Sequence, residues 1–174
     1  MKLINRGGFT VLELLISLAF ASLLILMIST LFFMNANSYN KEDIVLELQY
    51  HGQVVLNYFS DRVMEAKGVV EIIDVNNIDS LDEDSEIRLK KVIFRTNDKG
   101  VIFEVKPNNK LFYGEGIAGS AKTEIADYVE SIILKPLPNG KKFLDADGIE
   151  ITVNLSKKNV TESYSTKVFF RNKK

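Results

Sequence analysis

From Val11 to Met34 the chain carries one formal charge, Glu13, and no proline or glycine. A run of about 24 such residues makes a helix roughly 36 Å long, enough to span a bilayer with some tilt. Ser17, Ser22, Ser29 and Thr30 interrupt its apolar character only mildly, since hydroxyls in such a helix bond back to main-chain carbonyls. Elsewhere apolar runs alternate with charged residues, as in a soluble domain. The 174 residues therefore allow one anchor helix and one compact domain of ordinary size.

Lys2 and Arg6 precede the apolar run and favour a cytoplasmic N-terminus. A secretory signal has its apolar region before the cut and a small-x-small site after it. Here the order is reversed. Gly7-Gly8 stand before the run, and Met34-Asn35-Ala36 is a poor substitute for a cleavage site behind it. A carboxylate in a spanning helix costs about 2.5–3.5 kcal/mol at the bilayer centre and less near an end. Glu13 sits one turn from the cytoplasmic end, where the positive helix terminus favours it.

The hexapeptide Gly8-Phe9-Thr10-Val11-Leu12-Glu13, leading directly into an apolar helix, resembles the prepilin peptidase site of type IV pilins and of the pseudopilins of type II secretion and DNA uptake. The resemblance implies a leader of residues 1–8, cut between Gly8 and Phe9, with Phe9 then N-methylated. It implies that Glu13 pairs with the free amine of Phe9 on a neighbouring subunit inside a filament. Burial would make that pair sensitive to loss of either partner. Val11 stands where leucine is common. Major pilins often carry a proline or glycine in mid-helix; this chain has neither, which points to a minor subunit. Loss of Lys2 and Arg6 with the leader leaves 20 basic against 23 acidic residues, a mildly acidic product and a poor general binder of nucleic acid.

Beyond the anchor, Ile44, Leu48, Val55, Phe59, Val63 and Ala66 recur at helical spacing, with Lys41, Glu42, Glu47, Gln49, Gln53, Asn57 and Asp61 on the opposite face. This predicts one helix from about Thr10 to Lys67, its membrane part at 9–34 and its amphipathic part at 35–67, stopped near Gly68. From 68 to 174 the pattern is that of strands. Val69–Val75, Ile87–Thr96, Val101–Lys106, Lys110–Tyr113, Val129–Leu134, Ile149–Leu155 and Tyr164–Arg171 are the expected ones. Asn97-Asp98-Lys99-Gly100 reads as a hairpin turn, and Pro136 and Pro138 as a stop. The fold class is α+β: a long helix packed on a mostly antiparallel sheet, as in the pilin fold. Three stretches also resemble the J-type pseudopilin and W-type minor pilin branch, with the F-type competence pseudopilins as competitor. They are Ile125-Ala126-Asp127-Tyr128-Val129, Ile149-Glu150-Ile151-Thr152-Val153 and Val168-Phe169-Phe170-Arg171-Asn172.

Other motifs weigh less. Gly114-Glu115-Gly116-Ile117-Ala118-Gly119 fits the dinucleotide fingerprint but lacks a βαβ context and reads as a loop. Asp145-Ala146-Asp147-Gly148 opens like a calcium loop, yet Glu150 is too near to complete one, so a turn is expected. The acidic stretch 79–86 reads as a solvated loop. His51, the lone histidine, reads as a surface or packing residue. Without cysteine there is no disulfide, thiolate metal site or cysteine nucleophile. One histidine on the anchor-proximal helix makes no catalytic dyad. No enzyme, cofactor or metal is expected.

The expectation is a minor pilin or pseudopilin inserted N-in, C-out in the cytoplasmic membrane. After processing by prepilin peptidase it joins other pilin subunits through its N-terminal helix. In the resulting cell-surface filament it primes or caps assembly. The alternative is a tip-located adhesin or DNA-binding minor pilin, for which Lys141-Lys142 and the tail Arg171-Asn172-Lys173-Lys174 are thin support; Lys157-Lys158 is a further basic spot and reads as solvated surface. A third is a plain single-pass membrane protein.

Overall fold

The computed structural model describes residues 10–97 and 99–173, apart from the side chains of Asn37 and Asn40. The chain divides into two compact units, Met1–Asp43 and Ile44–Lys174. Helix α1 (Val11–Glu65) runs without interruption for 55 residues. Its apolar first part has no buried residue in the most apolar window and, among the described residues, makes α1 the one helix long and apolar enough to cross a membrane. Within it, Ser22 Oγ donates to the Ala19 carbonyl and Thr30 Oγ1 to the Leu26 carbonyl, each at 2.8 Å, so these hydroxyls are satisfied by the helix itself.

In the second unit α1 packs on a curled antiparallel sheet. The strands are β1 (Gly68–Asp74), β2 (Ile87–Arg95), β3 (Gly100–Lys106), β4 (Lys110–Glu115), β5 (Thr123–Ala126), β6 (Val129–Leu137), β7 (Gly148–Lys157) and β8 (Val160–Phe169). Their order is β5-β4-β3-β2-β6-β7-β8, with β1 also paired to β2. Leu48, Val55, Phe59 and Val63 of α1, and Ala66 just beyond its end, are fully buried, so the face predicted from helical spacing is the packed one. Phe59 stacks on Phe103 with ring centroids 4.0 Å apart, and Phe94 meets both edge-on.

The last turn of α1 is closed by the chain's other end. Arg171 N–H donates to the Met64 carbonyl at 3.2 Å and Asn172 Nδ2 to the Glu65 carbonyl at 2.9 Å. These carbonyls have no partner within the helix.

Three strand expectations change. β5 is an additional strand. β6 continues through Pro136 to Leu137 instead of stopping before it. Pro136 lies opposite Ile149 of β7, while β2 pairs with β6 only at Ile133 and Leu134. The missing N–H therefore faces the side where β2 has already ended, a place a sheet tolerates proline. Finally, β8 begins at Val160 and not at Tyr164. The two-residue turn Lys158-Asn159, with Lys158 at φ 54°, brings Val160 opposite Lys157.

Candidate functional site

Gly8 and Phe9, the expected processing pair, lie outside the described residues. The described site begins at Thr10, the N-cap of α1. Thr10 Oγ1 accepts from Glu13 N–H at 3.3 Å, and the Glu13 carboxylate accepts from Thr10 N–H and Thr10 Oγ1, both at 3.3 Å. This is a reciprocal capping box, satisfying helix-end donors that have no other partner. Its signature, Thr-x-x-Glu before an apolar run, stands in the sequence and is missed when Glu13 is considered only as an intramembrane charge. In the single chain Glu13 thus has a local role: it holds the first turn. Nearly every large side chain from Val11 to Met34 is about half exposed or more, Val11 78% and Phe33 69%. An apolar surface of this size on a helix marks a lipid-facing or partner-facing element.

In the second unit, His51 is not a free surface group. Its Nδ1 accepts from Asp127 N–H at 3.2 Å, and its ring meets Tyr50 and Tyr128 edge-on at 5.5 and 5.4 Å. Lys157 Nζ lies 4.4 Å from the centre of the Tyr128 ring and pairs with Glu47 of α1. The hydrogen bond from Lys157 holds the Glu47 carboxyl below its ordinary range, and the same bond raises Lys157. This cluster ties α1 to the β5–β6 turn and to β7. In the fold it acts as a brace between these elements.

The acidic stretch is more ordered than its composition implies. Asp74 Oδ1 accepts from the N–H of Asn76 and of Ile78, both at 2.8 Å, and these bonds hold its carboxyl below the usual range. Phe143 N–H donates to the Glu83 carbonyl and Leu144 N–H to the Leu81 carbonyl, both at 3.1 Å. The 145–147 turn carries a cation of its own. Lys173 Nζ donates to the carbonyls of Asp145 and Ala146 at 2.5 and 2.7 Å and pairs with Asp147 at 3.0 Å. Lys141 pairs with Asp147 at 2.7 Å from another side. The hydrogen bond from Lys141, then that from Lys173, lowers the Asp147 carboxyl. Sequence spacing shows nothing of Lys173, which lies on another element. Among the described residues no three His, Asp or Glu side chains group as a metal site.

The basic spots are similarly engaged. Lys142 pairs with Asp82 at 3.1 Å, Lys141 with Asp147, Lys157 with Glu47 and Lys173 with the 145–147 turn. Lys158 forms a hairpin turn, and Lys174 lies outside the described residues. Residues 114–119 join β4 to β5: Gly114 and Glu115 belong to β4, and no helix follows, so the geometry a pyrophosphate needs does not form there. Ala121, beyond this loop, covers Ile93 and Ile102 on the sheet's other face, held by its N–H to Glu104 at 3.0 Å.

A cleft of about 570 Å³ opens at the C-terminal end of α1, between Tyr58, Asp61, Arg62, Glu65 and Arg171. Arg62 pairs with Glu65 at 2.9 Å and lies 5.6 Å from the Tyr113 ring centre. Its lining mixes both charges, and no acid–base pair converges on it.

Comparison with family models, with curated proteins and with solved structures finds no match for this chain.

Proposed function

We propose that this chain is a minor pilin or pseudopilin: a structural subunit, without enzymatic activity, that primes or caps assembly of a type IV pilus or related filament. The observation carrying this reading is the run Gly7-Gly8-Phe9-Thr10-Val11-Leu12-Glu13 placed directly before an apolar helix. A cut after Gly8 leaves that helix with the product, the reverse of an ordinary secretory signal. One feature supports it further: the apolar segment continues into the amphipathic one within a single helix of 55 residues.

In this reading the precursor sits in the cytoplasmic membrane with its C-terminal domain outside. Prepilin peptidase cuts between Gly8 and Phe9, and the new amine of Phe9 is methylated. The helix then leaves the bilayer and packs among those of other subunits. Glu13 exchanges its own capping contacts for the Phe9 amine of a neighbour, a bond in which both partners are charged. The DNA-binding alternative finds less support, because Lys141, Lys142, Lys157 and Lys173 are each paired with acidic side chains.

The test is the intact mass of the protein co-expressed with its cognate prepilin peptidase. A product starting at Phe9 and heavier by one methyl group is expected. An uncut chain, beside a control prepilin that is cut, leaves a plain membrane-anchored domain and ends the pilin reading.

A further inference from the structure

Strand β2 changes partners partway along. Ile87 and Arg88 pair with Leu134 and Ile133 of β6, and from Lys91 onward β2 pairs with β3. Lys90 marks the change. On the β1 side Asp74 faces Leu89 and Ile73 faces Lys91, so Lys90 is an extra residue without a counterpart. Such a bulge bends the strand and re-aims its side chains, and bulges are frequent beside functional sites. A cleft of about 310 Å³ lies at this bend, where Arg88, Leu89 and Lys90 of β2 meet Lys106 of β3 and Glu130 and Ser131 of β6. Its volume is at the low end for small-molecule sites, about 300–1,000 Å³.

The cations here differ from the basic spots described above. Lys141, Lys142, Lys157 and Lys173 are each paired with a carboxylate. Arg88, Lys90 and Lys106 donate only to neutral oxygens. Arg88 Nη2 donates to the Glu130 carbonyl at 3.0 Å, Lys90 Nζ to the Asn77 side-chain oxygen, and Lys106 Nζ to the Ala121 carbonyl at 3.0 Å. Among the described residues none of the three forms an ion pair, so their charges are not neutralised locally. Lys106 lies over the Phe112 ring at 4.0 Å, so it adds field at the cleft and no direct contact. Glu130 is the one carboxylate of the lining, which leaves a surplus of positive charge. A second observation points the same way. Ser131 is only 8% exposed. Its Oγ accepts from Asn154 Nδ2 at 3.0 Å, and among the described residues nothing accepts from its O–H. A buried donor at the wall of a positive cleft calls for an acceptor.

We propose that the cleft at the β2 bulge binds a small phosphate-bearing anion, held by Arg88, Lys90 and Ser131. A guanidinium, an ammonium and a hydroxyl are the donor set that phosphate oxygens take, the first as a fork, the second as a point charge. Arg88 and Lys90 release neutral acceptors to do so, and a charged acceptor is the stronger partner. The apolar side chain of Leu89 beside them keeps water from screening the contact fully. The size of the cleft suits one phosphate group and not a length of nucleic-acid backbone. The sequence hides the site, because Arg88 and Lys90 come from β2, Ser131 from β6, and only the change of partners brings them together. This inference is independent of the filament reading.

The test is a titration of the full-length protein, in maltoside micelles that carry no phosphate, with inorganic phosphate as the probe. Amide resonances are followed by NMR. Those of Arg88, Lys90 and Ser131 are expected to shift saturably, with one phosphate bound, and sodium chloride at equal ionic strength is expected not to reproduce the shifts. Acetate is expected to bind at least about fivefold more weakly, having fewer acceptor sites. Arg88→Gln and Lys90→Gln are each expected to weaken phosphate at least about fivefold, and Ser131→Ala at least about twofold. Lys142→Gln, a change outside the cleft, is expected to bind as the parent does. Shifts that do not saturate, equal shifts with chloride, acetate binding as tightly as phosphate, or parent-like binding by Arg88→Gln or Lys90→Gln each overturns the proposal. So does equal weakening by Lys142→Gln, which would mean a diffuse response to charge. Should Ser131→Ala not fold, the Arg88 and Lys90 variants decide.

Discussion

The main-chain N–H of Asp127 donates to Nδ1 of His51 at 3.2 Å, across 76 residues of chain. An acceptor Nδ1 requires the neutral ring with its proton on Nε2, since an imidazolium has no lone pair to offer. The bond holds a turn in which Tyr128 takes φ 63°, and the turn carries on as Ser156 N–H donates to the Tyr128 carbonyl at 2.9 Å. Replacing His51 by Phe keeps the ring contacts and strands the Asp127 amide. The expected cost is about 1 kcal/mol. The measurement is native-state hydrogen exchange, in which the Asp127 amide is expected to lose protection while the core of β7 keeps it.

Glu47 and Lys157 brace the same region. The Glu47 carboxyl is held below its ordinary value of 4.5, with the Lys157 hydrogen bond the largest cause. A depressed carboxyl contributes stability that is present above the unfolded value and lost as pH falls through the folded one. Lys157 is raised above 10.5, so its share is present below that value and lost only at still higher pH. Between about pH 5 and pH 3 the melting temperature of the parent protein is therefore expected to fall more steeply than that of Glu47→Gln. Asp74 and Asp147 are lowered too and contribute acid sensitivity to both proteins, so the difference between the two curves isolates Glu47. Parallel curves would mean that the pair contributes nothing in solution.

Gly52 stands in the packed face of α1, where helix formers are favoured. A Cβ there would lie 2.5 Å from Cδ2 of Tyr164 and 3.2 Å from Cδ1 of Leu155. The glycine costs the helix about 1 kcal/mol against alanine, while overpacking costs about 1–3. Gly52→Ala is expected to lose about 1 kcal/mol net in denaturant unfolding. In a Tyr164→Ser background the two closest contacts are gone and only the 3.2 Å approach to Leu155 is left, so the same substitution is expected to be close to neutral or stabilising. Additive effects in this double-mutant cycle would remove the close approach of α1 to β8 as the reason for the glycine.

The helix and most of the sheet are legible in the sequence because each has a strong local period. The α1 face from Leu48 to Val63 follows helical spacing, and Ile149 to Leu155 alternates, with every second residue turned to the core. The start of β8 is hidden because Lys158-Asn159 has no glycine, and β5 because its four residues are too few for a period of two to show. Pro136 misleads: its effect depends on where β2 ends, a tertiary fact. At the site the balance is different. Gly8 and Phe9 are carried by sequence alone, and the Thr10–Glu13 box is local and readable. The Lys173 ammonium at the Asp145–Asp147 turn bridges elements 26 to 28 residues apart, beyond any local pattern.

The capping box separates two roles that Glu13 plays in the proposed filament. Glutamine serves in a capping box as glutamate does, so Glu13→Gln keeps the helix start and removes only the charge. Thr10→Ala does the reverse: it removes the cap, at about 0.5–2 kcal/mol for the helix end, and keeps the carboxylate. A buried terminal amine left without its partner costs more, about 3–5 kcal/mol. Both variants are therefore expected to be cut by prepilin peptidase. Thr10→Ala is expected to enter filaments, whereas Glu13→Gln stays in the membrane fraction. The measurement is the amount of each variant in sheared filaments relative to membranes. Equal incorporation would leave Glu13 as a helix cap and nothing more; loss of Thr10→Ala alone would place the requirement in the helix start and not in the charge.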